Sequence, residues 1–289
     1  HPHIAGLHDA GIAADGQAWL ALEYVPGQPI TQWCDSQQLG LDARVQLFCQ
    51  VLDAVAHAHA NLVLHRDLKP GNILVNDDGQ ARLLDFGIAK LIQPDAPASD
   101  DTEMTRRSGR PLTPQYASPE QLLGQPLTTA SDVFSLGVVL YELLCGLRPQ
   151  EPRGESTLAL EQAVVEQEPR PPSRRVDEAA AAQRATTATA LRRRLAGDLD
   201  AIASQALAKR PEARYATVAE LRADVQRWLA GEPVLARRPT AWYRAQRFVA
   251  RHKLGSALGA GAVLALVGVA TVAVVLGLQA RAESRRAQA

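Results

Sequence analysis

The chain has 289 residues, 46% of them apolar, and 31 basic side chains balance 31 acidic ones. That length makes one or two domains with a sizeable core, and a net charge of zero leaves no global field to draw in nucleic acid or acidic partners. Cys34, Cys49 and Cys145 are odd in number, far apart and without a Cys-x-x-Cys pair. They read as buried thiols of a reducing compartment rather than a disulfide or zinc framework. The single methionine is Met104 and the first residue is His1, so the sequence is expected to be a piece of a longer protein.

In chain order, residues 7–13 and 18–25 read as two strands joined by an Asp15-Gly16 turn, the second leaving through Pro26-Gly27. Residues 41–61 place Val45, Leu47, Phe48, Val51, Leu52, Val55 and Ala56 near helical spacing, which predicts a core-facing helix. His57 and His59 stand two apart and so face different sides of it, whereas helical zinc pairs stand four apart; they read as packing or capping residues. Leu62-Val63-Leu64 reads as a strand entering the loop His65-Arg66-Asp67-Leu68-Lys69-Pro70-Gly71-Asn72, and Ile73-Leu74-Val75 as a strand leaving it. Asn76-Asp77-Asp78-Gly79 then turns a hairpin into Ala81-Arg82-Leu83-Leu84, which delivers Asp85-Phe86-Gly87. One carboxylate and one carboxamide thus share a tight loop, and a second carboxylate follows one hairpin later. Phosphoryl transfer needs such a set. One group orients the attacking hydroxyl, and hard oxygen ligands hold Mg²⁺ against the phosphates.

These two motifs, at this spacing and in this context, resemble those of the protein kinases. The resemblance implies an α+β, protein-kinase-like fold with a mostly helical large lobe, here preceded by a remnant of the β small lobe. It implies ATP and Mg²⁺ as cofactors and proteins bearing Ser or Thr as substrates, because Asp-x-Lys-Pro-x-Asn is the serine/threonine form of the loop. Residue by residue, it assigns Asp67 to accept or orient the substrate hydroxyl proton, Lys69 to sit near the transferred phosphate, and Asn72 and Asp85 to hold Mg²⁺. Thr113 would hydrogen-bond toward Asp67 and Lys69. The tract Leu22-Glu23-Tyr24-Val25-Pro26-Gly27 is similar to the hinge between lobes. Backbone around Glu23 and Val25 would bond adenine, Leu22 would back the pocket, and Leu74 and Asp85 would complete the nucleotide site. Phe86 and Gly87 are assigned structural roles, as is Arg66, which marks kinases whose activation segment is ordered by a phosphate. His1-Pro2-His3-Ile4 is similar to the loop ahead of the small lobe's fourth strand. A Gly-x-Gly-x-x-Gly loop, a strand lysine and its glutamate partner have no counterpart in the sequence. Truncation accounts for those absences and the missing methionine together, and the chain as given is expected not to be an efficient kinase.

The activation segment would span 85–120. Its middle, 94–110, is rich in Pro, Asp, Ser, Thr and Arg, a composition expected to be mobile, and offers Ser99, Thr102, Thr105 and Ser108 as phosphoacceptors. Residues 112–120 resemble the substrate-docking loop and the Ala-Pro-Glu motif, with Ser118 in place of alanine. The resemblance pairs Glu120 with a distant buried arginine, best matched by Arg214, although Arg210-Pro211 replaces the usual Asp-Pro there. Residues 131–144 read as a buried helix. Asp132 near its start would bond the catalytic-loop backbone, or favour the helix dipole, or both. Helices are also predicted over 158–167, 179–193, 198–207 and 217–230, the last with a Thr217/Glu220 capping box. Gly231-Glu232-Pro233 then ends the globular part. Gly197-Asp198-Leu199-Asp200 and 228–234 are further similar to bacterial membrane-bound serine/threonine kinases.

Residues 254–278 carry no charge, and about 20 apolar residues suffice to cross a bilayer core. Arg237, Arg238, Arg244, Arg247, Arg251 and Lys253 precede the run and Arg281, Arg285 and Arg286 follow it, which places the richer side in the cytoplasm. Trp242 and Tyr243 would lie in the interface, and Gly255 and Gly259 would form a Gly-x-x-x-Gly homodimer face. The expected organisation is a small-lobe and hinge remnant over 1–30, a large lobe over 31–232 and a basic linker over 233–253. A membrane span over 254–278 and an extracytoplasmic tail over 279–289 complete it. The expected location is the inner membrane, single-pass, with the bilayer as partner and no nucleic acid. The rival reading is a non-catalytic kinase-fold scaffold; a hydrolase using Asp67 and Asp85 lacks a nucleophile motif.

Overall fold

The fold is that of a computed structural model, which describes residues 1–14, 18–84, 114–152, 156–237, 240, 243, 265–269 and 271–272. The chain divides into two compact units, one of His1–Ala230 with Val234–Arg238, the other of Gly231–Pro233 with Pro239–Ala289. In the second unit, residues 265–269 and 271–272 are helical and Tyr243 is buried. No helix among the described residues is long and apolar enough to cross a membrane. Most of the expected span 254–278 lies outside the described residues, as do Trp242 and the tail.

The first unit opens with an antiparallel hairpin, β1 (Leu7–Ile12) and β2 (Ala18–Leu22), with Leu7 opposite Leu22. Both strands stop short of their predicted ends. Past Leu22 one more rung forms, from Glu23 N–H to the Gly6 carbonyl at 2.7 Å, and the chain then departs from β1. It enters a two-residue strand that the sequence did not announce, β3 (Gln28–Pro29), which pairs with β4 (Ile73–Val75) and through it with β5 (Ala81–Leu83). Gly27 makes this pairing possible, since any Cβ there would run into the Val75 carbonyl. On the far edge, Leu83 pairs with Ile4, receiving and giving bonds of 2.9 Å with His3 and Ala5.

The remainder is helical: α1 (Ile30–Ser36), α2 (Leu41–Ala60), α3 (Pro119–Leu122), α4 (Thr129–Cys145), α5 (Thr157–Glu166), α6 (Glu178–Ala182), α7 (Ala188–Leu195), α8 (Asp198–Ala206) and α9 (Val218–Leu229). α4 is the axis of the core. Nearly every residue of it is buried, and it packs against α2, α8 and α9. Gly137 lets it approach α8, where a Cβ would crowd Ala206 and Leu207. Two guanidinium groups are buried at one end of this core. Arg44 donates to the carbonyls of Leu39, Cys34 and Gln183 and pairs with Asp35, and Arg184 donates to those of Leu143, Ala180 and Glu142. Burial, and then the nearby Arg44 charge, lower the Arg184 pKa to about 10. All three cysteines are free thiols, and burial pushes each up to about 11.

Two predicted elements are corrected. Leu62-Val63-Leu64 is not a strand. Leu62 is 95% exposed at φ +60°, and the N–H groups of Leu62 and Val63 bond back to the last turn of α2, so the segment finishes a helix rather than joining a sheet. Residues 179–193 form not one helix but α6 and α7, broken at Ala185 (φ +51°) and restarted by the Thr187 cap. The Thr217/Glu220 box is half formed. Thr217 Oγ1 accepts from Glu220 N–H, while the Glu220 carboxylate takes the N–H of Ala216. Behind α9 the chain is strapped down. Asp224 accepts from the N–H groups of Leu235 (2.5 Å) and Ala236 (2.8 Å) and from the Tyr215 hydroxyl, and Asp198 pairs with Arg237 at 3.1 Å.

Candidate active site

The loop 65–72 is shaped by what surrounds it. Asp132, buried in the first turn of α4, gathers three donors: His65 N–H (2.8 Å) and His59 Nε2–H (2.8 Å) on Oδ2, and Arg66 N–H (2.9 Å) on Oδ1. A carboxylate with three well-placed donors is a strong, specific clamp. It holds Arg66 at φ +67°, a conformation costly for a residue with a side chain. The Arg66 carbonyl is held from the other side by Gln121 Nε2 at 2.6 Å. His59 thus belongs to this network, with its Nδ1 buried and without a hydrogen bond among the described residues, while the His57 ring stacks on His1 at 4.9 Å. Among the described residues no group of three or more His, Cys, Asp or Glu is placed to hold a metal ion.

His65 ties the loop to the strand beyond it. Burial is the largest influence on its pKa and lowers it, against the opposing pull of Asp132, so the ring is neutral. Its Nε2–H donates to the Leu84 carbonyl (2.9 Å), leaving Nδ1 to accept from Asp67 N–H (3.4 Å). Leu84 N–H in turn donates to the Asn72 carbonyl at 2.8 Å. The residue that precedes Asp85 is therefore fixed by both ends of the catalytic loop.

The structure brings Asp67, Lys69 and Asn72 together. Lys69 Nζ donates to Asp67 Oδ2 at 2.8 Å, and Asn72 Nδ2 donates to the Asp67 carbonyl (2.8 Å) and to Oδ2 (3.1 Å). The 3₁₀ turn Pro70–Asn72 folds the loop back so that these side chains converge. Asp67 is half-exposed and oriented by two donors, and Asn72 is buried. Asn72 commits only its amide nitrogen to Asp67, so its oxygen is the end suited to a hard cation such as Mg²⁺. Asp85, the second expected ligand, lies outside the described residues, together with Phe86, Gly87, Thr113 and all four candidate phosphoacceptors.

At the hinge, the Glu23 carboxylate accepts from Gly6 N–H at 2.9 Å. That bond, and then the Arg82 charge, hold its pKa below the ordinary value. Tyr24 points to solvent and Val25 is buried. Among the described residues the Glu23 carbonyl and the Val25 N–H take no internal hydrogen bond. One acceptor and one donor two residues apart on the same backbone segment is the pattern an adenine edge can satisfy. Leu22 and Leu74 are half-buried, on β2 and β4 respectively.

On the C-terminal side, Ser118 caps α3 in a reciprocal box with Gln121. Tyr116 is fastened to α4 twice, its hydroxyl to Glu142 Oε2 (2.6 Å) and its carbonyl to Ser135 Oγ (2.8 Å). Burial raises the Glu142 pKa, against the bond from Tyr116 and the Arg148 charge. Glu120 and Arg214 form a buried bidentate pair at 2.7 and 2.9 Å, and Arg214 also donates to the carbonyls of Ala130, Ala208 and Lys209. Burial works to raise the Glu120 pKa, but hydrogen bonds from Arg214 and Ser131 outweigh it and the net shift is downward. Gln121, His59, Ser135 and Tyr116 were not singled out as site residues from sequence. Only Gln121 carried a signal, the Ser-x-x-Gln spacing of a capping box.

A family profile described as protein kinase domain matches residues 1–224. Serine/threonine-protein kinase PknB of Mycobacterium leprae is 34% identical over 237 residues, which make up 81% of this chain and 34% of that protein. PknB of Mycobacterium tuberculosis is 35% identical over the same length. Serine/threonine-protein kinase pkn3 of Myxococcus xanthus is 35% identical over 232 residues, 78% of this chain and 39% of that protein. The chain spans about a third of the length of the mycobacterial relatives it matches.

Proposed function

The chain belongs to the protein kinase family, and from that premise we propose that it serves as a serine/threonine protein kinase, moving the γ-phosphoryl group of ATP to Ser and Thr hydroxyls of proteins. The observation that carries this reading is the convergence of Lys69 Nζ and Asn72 Nδ2 on the Asp67 carboxylate. Asp67, held by those donors, would orient the incoming hydroxyl and take its proton. Lys69, within reach of the same oxygen, would offset charge on the transferred group. Asn72 through its oxygen, together with Asp85, would hold Mg²⁺, which when bound neutralises the phosphates. The free hinge carbonyl of Glu23 and N–H of Val25 would take the adenine edge.

The test is transfer of labelled phosphate from ATP to a mixed protein acceptor by the gene product made from its own start codon. Asp67→Asn is expected to lower the rate by about 10²–10⁴-fold while leaving nucleotide binding intact. Undiminished transfer by that variant would remove Asp67 from its role; no transfer by the unaltered product would favour a kinase-fold scaffold instead.

We propose further that residues 254–278 anchor the chain in the inner membrane as a single pass, the kinase-bearing side cytoplasmic. What supports this is an uncharged run of 25 residues flanked by arginines, richer on the side of the kinase domain. Resistance of the chain to alkaline carbonate extraction, lost when 254–278 are deleted, is the expected result.

A further inference from the structure

Of the 31 basic side chains only Lys69, Lys90, Lys209 and Lys253 are lysines. Lys69 is paired with Asp67, whereas Lys209, just past the end of α8, is half-buried in a corner that already holds a cation. Its Nζ donates to the Val164 carbonyl at 2.7 Å, one of the last-turn carbonyls of α5 for which the helix has no N–H of its own. An ammonium carries three donors, yet among the described residues Lys209 makes that single side-chain bond and joins no ion pair. Lys209 Nζ lies 5.8 Å from the centre of the Phe134 ring, and the Arg214 guanidinium lies over the same ring at 5.0 Å. Two cations thus share one aromatic ring. The buried carboxylate of this corner, Glu120, is committed to Arg214.

An ammonium with one acceptor for three donors, half out of water and beside a guanidinium, is better placed as a neutral amine. Burial is the largest influence on the Lys209 pKa and lowers it to about 8, against the pull of the exposed Glu168 and helped by the Arg214 charge. A neutral lysine is a nucleophile, and partial exposure leaves it an approach from solvent. We propose that Lys209 is a site of acylation by activated carboxylic acids, either acyl phosphates or acyl thioesters. The amine lone pair attacks the acyl carbonyl carbon and a C–N bond forms. The C–O bond to phosphate or the C–S bond to the thiol breaks, the leaving group keeps the electron pair, and the amine proton passes to water. The amide product retains one N–H, which suffices for the Val164 carbonyl. It sheds its charge and leaves Phe134 to Arg214 alone. Neither the corner nor this chemistry depends on the kinase reading.

The experiment exposes the full chain to acetyl phosphate and, separately, to acetyl-CoA from about pH 7 to 10. Acetylation at each lysine is read by mass spectrometry against a free peptide bearing one lysine. At about pH 7.5 an amine of pKa about 8 is about one-quarter neutral, an ordinary lysine only about 0.1%. Lower intrinsic reactivity and partial burial offset most of that difference, so Lys209 is expected to react about tenfold faster than the peptide. Its rate should level off above about pH 8 while that of the peptide keeps climbing. Whichever donor gives this behaviour identifies the leaving group. Guanidinium chloride should abolish the advantage, since the corner exists only in the fold. A Lys209 rate no higher than the peptide's with both donors overturns the proposal, as does an advantage that survives unfolding.

Discussion

Arg66 stands at φ +67°, a conformation that costs a residue with a Cβ about 1–3 kcal/mol, and the donors and acceptors around it keep it there. In Asp132→Asn one acceptor oxygen replaces the two that receive His65 N–H, Arg66 N–H and His59, and an amide donor is turned toward another donor. Hydrogen exchange at the His65 and Arg66 amides should then accelerate by about 10–100-fold, the equivalent of an unmet buried donor. Glu120 and Arg214 make a second test. Arg214→Ala strands a buried carboxylate and should cost about 3–5 kcal/mol in denaturant unfolding. Because the Glu120 pKa is lowered on folding, its contribution is fully present above the unfolded value of about 4.3. It is lost as pH falls below that value through the folded pKa, and Glu120→Gln should flatten that acid limb. These residues announced themselves in sequence because their types are chemically demanding. The bond from Gln121 to the Arg66 carbonyl did not, since a neutral amide is ordinary on a helix and its partner lies 55 positions away.

Elements were legible in proportion to how much of their stability is local. α2 follows from periodic apolar residues over several turns and α4 from a run apolar on nearly every face, and the structure places them within a residue or two of the predicted limits. β3 could not be read at all. Two residues with a proline have no strand propensity of their own, and they pair only because Gly27 lets the backbone close on Val75. The opposite error occurred at Leu62-Val63-Leu64, where an apolar run reads as a strand but no strand among the described residues pairs with it. α3 is too short to form alone, and it depends on its cap. Ser118→Ala should therefore lower stability by about 1 kcal/mol in thermal or denaturant unfolding. The loosened Gln121 should also raise exchange at the loop amides, whereas Ser118→Thr, which keeps a capping hydroxyl, should change little.

At the scale of the whole molecule, the sequence placed the end of the globular part at Gly231-Glu232-Pro233, yet the first unit takes residues 234–238 back into itself. The reason is Asp224, a buried carboxylate on α9 that needs the N–H groups of Leu235 and Ala236, and Asp198, which takes Arg237. Neither demand is visible until α8 and α9 are packed. A chain ended at residue 230 should melt about 2–8 °C below one ended at residue 238, because it leaves Asp224 short of donors. Equal melting temperatures would mean that the strap adds nothing to the fold.

The bonds at Leu84 and at Tyr116 and Gln121 have a further consequence for the residues between them. Leu84 is pinned to His65 and Asn72, and Gln121 is pinned to Arg66, with Tyr116 fastened to α4. The described residues on either side, Leu84 before residues 85–113 and Tyr116 and Gln121 after them, are thus held on one frame through the catalytic loop and α4. The closure entropy of a connection between two fixed ends grows only slowly with its length. Doubling the number of residues between those two ends should therefore cost the fold only about 0.6 kcal/mol.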